Sequence, residues 1–147
     1  MEVHDERIPD AEFATCLQHL PEVCVDLVVR VDGGVLLARR ANDPARGEWF
    51  WPGGRLFKGE RLDVAAERVL AEELGLTAEA TTRRGVSEHF WDVSSVPGVD
   101  SRHTVPVVYE VSPVESIDAV QLDDQHDDYR VLREPEAGLH EYVREYV

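Results

Sequence analysis

The sequence predicts a mixed α/β fold in which helices cover a sheet. Short valine-rich segments typical of strands lie on both sides of a helical segment in the middle of the chain, and further helical patterns lie at both ends. Because a sheet and a helix each bury one apolar face, this order of elements is typical of a layered α/β arrangement. With 147 residues and a 43% apolar fraction, the chain is expected to form one domain spanning residues 1–147.

The first part of the chain predicts a helix followed by a hairpin. The helix is expected from Asp10 to Leu20, with Asp10 as its cap and a proline after its end. Residues 23–31 and 35–40 are rich in valine and leucine and predict two strands. The segment Asp32-Gly33-Gly34 between them is typical of a tight hairpin turn.

The middle of the chain predicts a loop, a short strand, a glycine turn and a helix. Residues 41–47 form the loop, residues 49–51 the strand and Pro52-Gly53-Gly54 the turn. The segment Leu62–Leu74 has no glycine or proline and is rich in good helix formers. Gly75 then supplies the expected end of this helix.

The remaining segments predict three strands and a final amphipathic helix. In order, we expect a strand over residues 80–91, a loop over 92–101, a strand over 103–111, an irregular acidic stretch over 113–125, a strand over 129–132 and a helix over 134–147.

Two adjacent carboxylates, Glu72 and Glu73, lie near the end of the central helix. Val69 is three and four residues before them, so that all three side chains share one side of the helix. Neighbouring carboxylates repel each other unless a cation lies between them, and their hard oxygens suit Mg²⁺. The alternative interpretation is that the two carboxylates lie on a solvent-exposed face of the helix and bind no metal. The preceding glycine turn and the positions of Glu60 and Arg68 favour the metal site.

The spacing of these residues resembles the Nudix box, G-x5-E-x7-R-E-U-x-E-E-x-G-U, where U is a bulky apolar residue. The matching positions are Gly54, Glu60, Arg68, Leu70, Glu72, Glu73, Gly75 and Leu76. Val69 departs from the pattern, because the family usually has a glutamate there. The resemblance implies a Nudix α/β/α sandwich with a mixed sheet, and a hydrolase.

Longer stretches resemble one Nudix subfamily, the GDP-mannose mannosyl hydrolases. They are IPDAEFATCLQHLP, LLARRANDPARGEWFWPGGRLFKGERL and LDDQHDDYRVL. Members of that subfamily also lack the first glutamate of the REUxEE segment. The resemblance implies hydrolysis of GDP-mannose or GDP-glucose at the sugar C1, releasing GDP and free hexose, by a homodimer.

The same resemblance implies roles for individual residues. The metal, Mg²⁺ or Mn²⁺, would be bound by the Gly53 carbonyl, Glu73 and the Gln125 amide oxygen, with Glu72 as a further acidic ligand. His126 is implied as the general base, and we expect its acidic neighbours Asp124, Asp127 and Asp128 to orient it. The diphosphate charge would be met by Arg40 and Arg55, and Asp26 matches a further active-site position.

Two departures from the subfamily keep other functions open. Thr104 replaces a tyrosine that contacts the substrate, and Glu72 restores an acid that the better-known members lack. A pyrophosphohydrolase that cleaves the phosphoanhydride is therefore an alternative. A third hypothesis is a non-catalytic nucleotide-binding module, although the presence of Arg68, Glu72, Glu73, Gln125 and His126 together argues against it, because a sensor needs no base.

The charge of the chain restricts its partners. There are 30 acidic and 15 basic residues, and Lys58 is the only lysine. A surface with a net charge of −15 repels nucleic acid and is an expected adaptation to high salt, where self-repulsion is screened. No apolar run approaches the length of a membrane span, and the N-terminus lacks a signal pattern, so we expect a cytoplasmic protein without a membrane partner.

Overall fold

The computed structural model describes residues 1–147 and contains one eight-stranded mixed sheet with helices on both sides. The elements are α1 (Asp10–His19), β1 (Glu22–Val31), β2 (Gly34–Arg40), β3 (Trp49–Phe50), β4 (Gly53–Arg55), α2 (Leu62–Leu74), β5 (Ala78–Val86), β6 (His89–Trp91), β7 (Arg102–Pro113), β8 (His126–Leu132) and α3 (Glu141–Arg144), with a 3₁₀ turn at Ile117–Ala119.

Strand β1 is the centre of the sheet. It pairs with β2 and β4 in antiparallel orientation and with β7 in parallel orientation. The main order is β3-β2-β1-β7-β5, while β8 pairs with β2 and β6 with β7. This arrangement places the ends of β1, β4 and β7 beside one another, where a cleft opens.

Alternation along β1 divides the core into two layers. Val25, Leu27 and Val29 pack in one cluster with residues of α2, and Val28 packs in the other cluster with Val143 of α3. Successive side chains of a strand point to opposite faces, so a valine-rich strand of this kind is buried on both sides. The α/β/α sandwich with a mixed sheet, expected from the sequence, is confirmed.

Two left-handed residues explain the predicted turn between β1 and β2. Asp32 and Gly33 have φ values of 48° and 75°. Positive φ at both central residues is the requirement of the type I′ hairpin turn, for which Asp-Gly is a preferred sequence. The predicted α2 is also confirmed, and its C-cap Gly75 has a φ of 67° with its N–H bonded to the Ala71 carbonyl.

Several predicted boundaries are wrong. Asp10 lies in the first turn of α1 and Pro9 holds the cap position, without a capping side chain. Gly53 and Gly54, predicted as part of a turn, belong to strand β4. The predicted strand over residues 80–91 is two strands, β5 and β6, which both pair with β7 and are separated by Ser87 and Glu88.

The C-terminal helix predicted over residues 134–147 is reduced to Glu141–Arg144. Pro135 and Gly138 disfavour helix in the first half of that range. The His140 imidazole accepts a hydrogen bond from the Tyr142 N–H and starts the short helix there. Its apolar residues still cover one face of the sheet, as the amphipathic pattern required.

None of the helices combines the length and the apolar composition that a membrane crossing requires.

Candidate functional site

A cleft of about 400 Å³ lies where β1, β4, β7 and α2 meet the loop before β8. Seven of the eight site residues predicted from the sequence line it, namely Asp26, Arg40, Gly53, Arg55, Glu72, Glu73 and Gln125. The eighth, His126, lies behind this surface. The fold therefore brings together residues that are as much as 99 positions apart in the chain.

The strand pairing of β1 and β4 fixes the floor of the cleft. Asp26 pairs with Gly53 in the register, and both line the cleft. A side chain at Gly53 would overlap the Asp26 Oδ1 atom and approach the Val25 carbonyl to 3.0 Å. Glycine is therefore required at this position because of the close approach of β1.

Glu73 of helix α2 lies beside Gly53 at the bottom of the cleft. The Gly53 N–H donates a hydrogen bond of 3.0 Å to Glu73 Oε2, and Glu73 is 5% exposed. Burial, followed by the nearby charge of Asp123, raises the pKa of Glu73 to about 8, although the Gly53 N–H and Arg40 act in the opposite direction. An ionised Glu73 thus needs additional positive charge.

Asp123 and His126 complete an acidic cluster with Glu73. His126 Nδ1 lies 2.7 Å from Asp123 Oδ1, and the ligand atoms of the three residues lie within 4.8 Å of one another. The position of His126 follows a register shift between β2 and β8, which pairs Arg40 with His126 but Arg39 with Asp128. Such a bulge re-aims side chains beside functional sites.

This cluster fits a divalent cation. It offers two carboxylates and an imidazole, all at least half-buried, and a cation would remove the repulsion that disfavours the ionised Glu73. Carboxylate and carbonyl oxygen donors suit both Mg²⁺ and Mn²⁺. Of the predicted metal ligands, Glu73 is central and Gln125 and Gly53 line the same cleft.

Glu72 differs from Glu73 although the two are adjacent. Its side chain is 58% exposed, and its Oε2 accepts a 2.9 Å hydrogen bond from Arg68 Nη1. The Glu72 carboxylate is therefore paired with the Arg68 guanidinium at the rim of the cleft.

Arg68 connects α2 to the loop before it. Its guanidinium donates to both carboxylate oxygens of Glu60, at 2.6 and 3.0 Å, and to the Arg55 carbonyl at 2.9 Å. It also lies over the Phe57 ring at 3.9 Å from the centroid. Arg68 therefore contacts both Glu60 and Glu72.

Arg40, Asp26 and Arg55 surround the acidic cluster. Arg40 Nε donates to the Pro44 carbonyl at 2.6 Å, which holds its guanidinium in the cleft. Burial raises the pKa of Asp26 to about 7, with Arg40 opposing the shift. Arg55 lies over the Phe57 ring at 4.8 Å. Arg40 and Arg55, the two arginines expected to contact the diphosphate, both line the cleft.

His126 requires a correction of the predicted surroundings. Its side chain is 1% exposed, and its Nε2 atom is buried without a hydrogen-bond partner. The orienting acid is Asp123, which sequence reasoning missed. Asp127 instead binds Arg39, and Asp128 accepts the hydrogen bond of the Tyr129 N–H. Asp124 makes no hydrogen bond to His126.

Other cleft residues were also missed by sequence reasoning. Glu22 and Cys24 share the cleft face of β1 with Asp26, at alternate positions, and Arg102 lies at the start of β7. The alternation of β1 could have identified Glu22, because it is two and four residues before Cys24 and Asp26. Nothing in the sequence around Arg102 indicated its position.

Comparisons with known proteins agree with this geometry. A model of the NUDIX domain family matches residues 20–146. The low-salt glycan biosynthesis protein Agl8 of Haloferax volcanii is 47% identical over 141 residues, which cover 96% of this chain and 89% of that protein. The ADP-ribose pyrophosphatase of Methanocaldococcus jannaschii is 33% identical over 90 residues, and the match spans 60% of this chain and about half (49%) of that protein.

Solved structures show the same fold. The MutT NUDIX hydrolase from Burkholderia pseudomallei superposes with a TM-score of 0.67 at 26% identity, covering 86% of this chain and 95% of that one. The NUDIX domain of Shewanella oneidensis NrtR, solved with ADP ribose, gives a TM-score of 0.59 at 22% identity, covering 84% and 82%. With the family match over residues 20–146 and four box residues lining one cleft (Gly54, Arg68, Glu72 and Glu73), this chain belongs to the Nudix hydrolase family.

Proposed function

We propose that this Nudix hydrolase cleaves a nucleotide sugar, GDP-mannose or GDP-glucose, at the sugar C1 and releases GDP and free hexose in the presence of Mg²⁺ or Mn²⁺. The observation that carries the proposal is the side chain at position 69. Val69 lines the cleft, is 1% exposed and would contact a Cβ at Gly54 at 3.1 Å. Valine can neither accept a proton nor bind a metal, so position 69 offers no base for attack at phosphorus.

The remaining residues support attack at carbon. Glu73 and Asp123 would hold the cation together with the Gly53 carbonyl and the Gln125 amide oxygen. When bound, the cation supplies positive charge to the departing diphosphate. Arg40 and Arg55 would bind the same diphosphate, and charge developing there strengthens their contacts.

His126 is the proposed base, and Asp123 orients it. A hydrogen bond from Nδ1–H to Asp123 leaves Nε2 as the proton acceptor. Because Nε2 is buried, this role requires a movement that opens Nε2 to the cleft when substrate binds. Water attack on C1 without a covalent intermediate would invert the anomeric configuration.

The comparison with Agl8 supports a sugar-bearing substrate. That protein is named for glycan biosynthesis, and it matches 96% of this chain. Nucleotide sugars are activated forms of the hexoses found in glycans, so the proposed substrate class agrees with this name.

A second candidate is cleavage of the phosphoanhydride. Glu72 is an exposed carboxylate at the rim of the cleft, and a partial relative is named as a pyrophosphatase of ADP-ribose. In that reaction the acidic residues of α2 would act at phosphorus, with GMP and a sugar phosphate as the products from GDP-mannose.

Product analysis in ¹⁸O-labelled water tests the proposal. Purified protein is incubated with GDP-mannose and Mg²⁺, and the products are resolved by mass spectrometry. GDP and a hexose that carries ¹⁸O would support attack at C1. GMP and a sugar phosphate with ¹⁸O in phosphate would refute it in favour of the second candidate, and no turnover over a panel of nucleotide sugars would indicate a binding module.

A further inference from the structure

A buried ion pair forms one wall of the cleft away from the acidic cluster. Glu22 lies on the cleft face of β1, four residues before Asp26, which corresponds to about 13 Å along the strand. Arg102 Nη2 donates a hydrogen bond to Glu22 Oε2. Neither residue is needed for the metal or the diphosphate in the proposed reaction.

This ion pair leaves hydrogen-bonding capacity unused. The side chains of Arg102 and Glu22 are 16% and 7% exposed, respectively. Only one oxygen of the Glu22 carboxylate accepts a hydrogen bond, and Arg102 Nε is buried without an acceptor. Buried polar groups are normally satisfied, so the unused donors and acceptor indicate a polar partner.

The chemistry of this wall fits a neutral polyol. A carboxylate beside a guanidinium has little net charge, and Glu22 would repel a phosphate or a carboxylate. The pair can accept from one hydroxyl and donate to another. Trp91 and Thr104 line the same part of the cleft, with Trp91 Nε1 donating to Thr104 Oγ1 at 3.4 Å, and the indole supplies an apolar surface for C–H groups.

A different wall suits the nucleobase. Phe13 and Phe57 line the cleft beside Arg55, which lies over both rings at 5.8 and 4.8 Å. Aromatic faces and a guanidinium stack on a base, whereas a sugar ring needs several donors and acceptors. Placing the base near Phe13 and Phe57 leaves the hexose on the other side of the diphosphate.

We propose that Glu22 and Arg102 form the hexose-recognition site of this enzyme, with each side chain binding a sugar hydroxyl. The inference rests on the proposed function because it takes a nucleotide sugar as the ligand. The effect on binding is expected to be large, since removal of charge-assisted hydrogen bonds to hydroxyls weakens affinity about tenfold.

Binding measurements on two double variants test this assignment. In Glu22→Gln/Arg102→Gln the two amides can still bond each other, so no buried charge is left alone. In Glu22→Arg/Arg102→Glu the ion pair is kept, but the donor and the acceptor exchange places. The matched control is Arg130→Gln/Glu136→Gln, which removes a bidentate ion pair outside the cleft. Affinities for GDP-mannose and GDP are measured calorimetrically with Ca²⁺, so that turnover is suppressed.

We expect both cleft variants to bind GDP-mannose about tenfold more weakly while GDP affinity and the control variant stay unchanged. An equal loss of affinity for GDP and GDP-mannose would overturn the assignment and indicate that the pair contacts the GDP part of the ligand. Full affinity in the exchanged pair would also overturn it, because a purely structural ion pair tolerates that exchange. If GDP-mannose instead binds the unmodified protein no better than GDP, no hexose site exists.

These outcomes are separate from those of the proposed function. Cleavage at phosphorus, with sugar-dependent binding lost in both cleft variants, would refute the proposed reaction and retain the hexose site. Cleavage at C1 with unchanged binding in both variants would retain the reaction and refute the site.

Discussion

Burial of Glu73 links its ionisation to the presence of a cation. The carboxyl is enclosed by Gly53, Asp123 and Arg40, and its pKa is raised to about 8 because desolvation outweighs the hydrogen bond from Gly53. At neutral pH the free cluster therefore favours a protonated Glu73. A divalent cation would favour the ionised form, so cation binding and proton release are expected to be coupled.

The substitution Glu73→Gln tests this coupling. The glutamine oxygen can still accept the Gly53 N–H, so the fold is retained while one anionic ligand is lost. We expect the Mg²⁺ concentration for half-maximal activity to rise about tenfold or more. Glu67→Gln on the exposed side of α2 is the control and should titrate as the unmodified protein does. Identical metal titrations for Glu73→Gln would contradict the ligand assignment.

The sequence predicted seven residues of the cleft but not the environment of the proposed base. Glu73 was found because the motif has a fixed spacing on a helix that folds locally, whereas Arg40 and Gly53 were implied by the longer resemblance to the subfamily. The contact between Asp123 and His126 depends on the register shift between β2 and β8. A register shift depends on tertiary pairing, and four aspartates near His126 gave no local reason to prefer one.

At the scale of elements, Arg68 is the connection that holds α2 against the preceding loop. The side chain of Glu60 is 3% exposed, and Arg68 supplies its counter-charge. Desolvation raises the pKa of Glu60, but the hydrogen bonds from Arg68 and from the Phe57 N–H outweigh it, so that the pKa is lowered. The same guanidinium also donates a hydrogen bond to the Arg55 carbonyl and lies over the Phe57 ring. This geometry explains why an arginine stands at position 68.

Arg68→Lys should reduce the free energy of unfolding by about 2 kcal/mol. Lysine keeps the charge but cannot bond both Glu60 oxygens and the Arg55 carbonyl in one plane. Urea unfolding monitored by tryptophan fluorescence measures the change. The control Arg61→Lys alters an exposed pair with Asp63 and should stay within about 0.5 kcal/mol. Equal stabilities of the two variants would show that the network contributes little.

Strand β6 is held by aromatic stacking and hydrogen bonding to Tyr142 in the C-terminal segment. His89 stacks on Tyr142 at 4.0 Å, and the Tyr142 hydroxyl accepts the Phe90 N–H at 3.0 Å. Desolvation and the neighbouring His140 lower the pKa of His89 to about 4. The folded protein thus prefers the neutral imidazole, and α3 holds β6, with His89 and Trp91, at the edge of the cleft.

A pH dependence of stability follows from His89. Its folded pKa of about 4 is below the ordinary value of 6.5, so the unfolded chain binds more protons between these values. The contribution of neutral His89 is complete above pH 6.5 and is lost as pH falls towards 4. Between pH 7.5 and 5, the unmodified protein should lose about 2 kcal/mol more than His89→Phe in urea unfolding. Parallel losses would exclude this origin.

The elements were predicted best where one local signal dominates. α2 has strong helix formers and a glycine end, and its predicted bounds agree with the structure. The C-terminal segment has the same apolar periodicity, but Pro135 and Gly138 limit the helix to four residues. Strand β4 was read as a turn because Gly53-Gly54 resembles one. Its pairing with β1 arises from tertiary contacts that a local sequence signal does not contain.

At the scale of the whole molecule, charge acts against folding. The chain has 30 acidic and 15 basic residues, and the ion pairs are mostly between exposed side chains, whose individual contributions are small. A net charge of −15 therefore leaves many carboxylates without a nearby counter-charge. Their mutual repulsion decreases when the protein unfolds and the charges separate, which lowers the stability of the folded state at low salt.

Salt should stabilise this protein through screening. Raising KCl from 0.1 to 2 M shortens the Debye length from about 10 Å to below about 3 Å, so we expect the free energy of unfolding to rise by about 1 kcal/mol or more. In the matched variant, glutamine replaces four exposed glutamates that make no ion pair. The substitutions change the net charge from −15 to −11 and are at Glu67, Glu79, Glu88 and Glu134. Its response in urea unfolding should be smaller, because less repulsion remains to be screened. An equal response of both proteins would show that KCl acts through the apolar core instead.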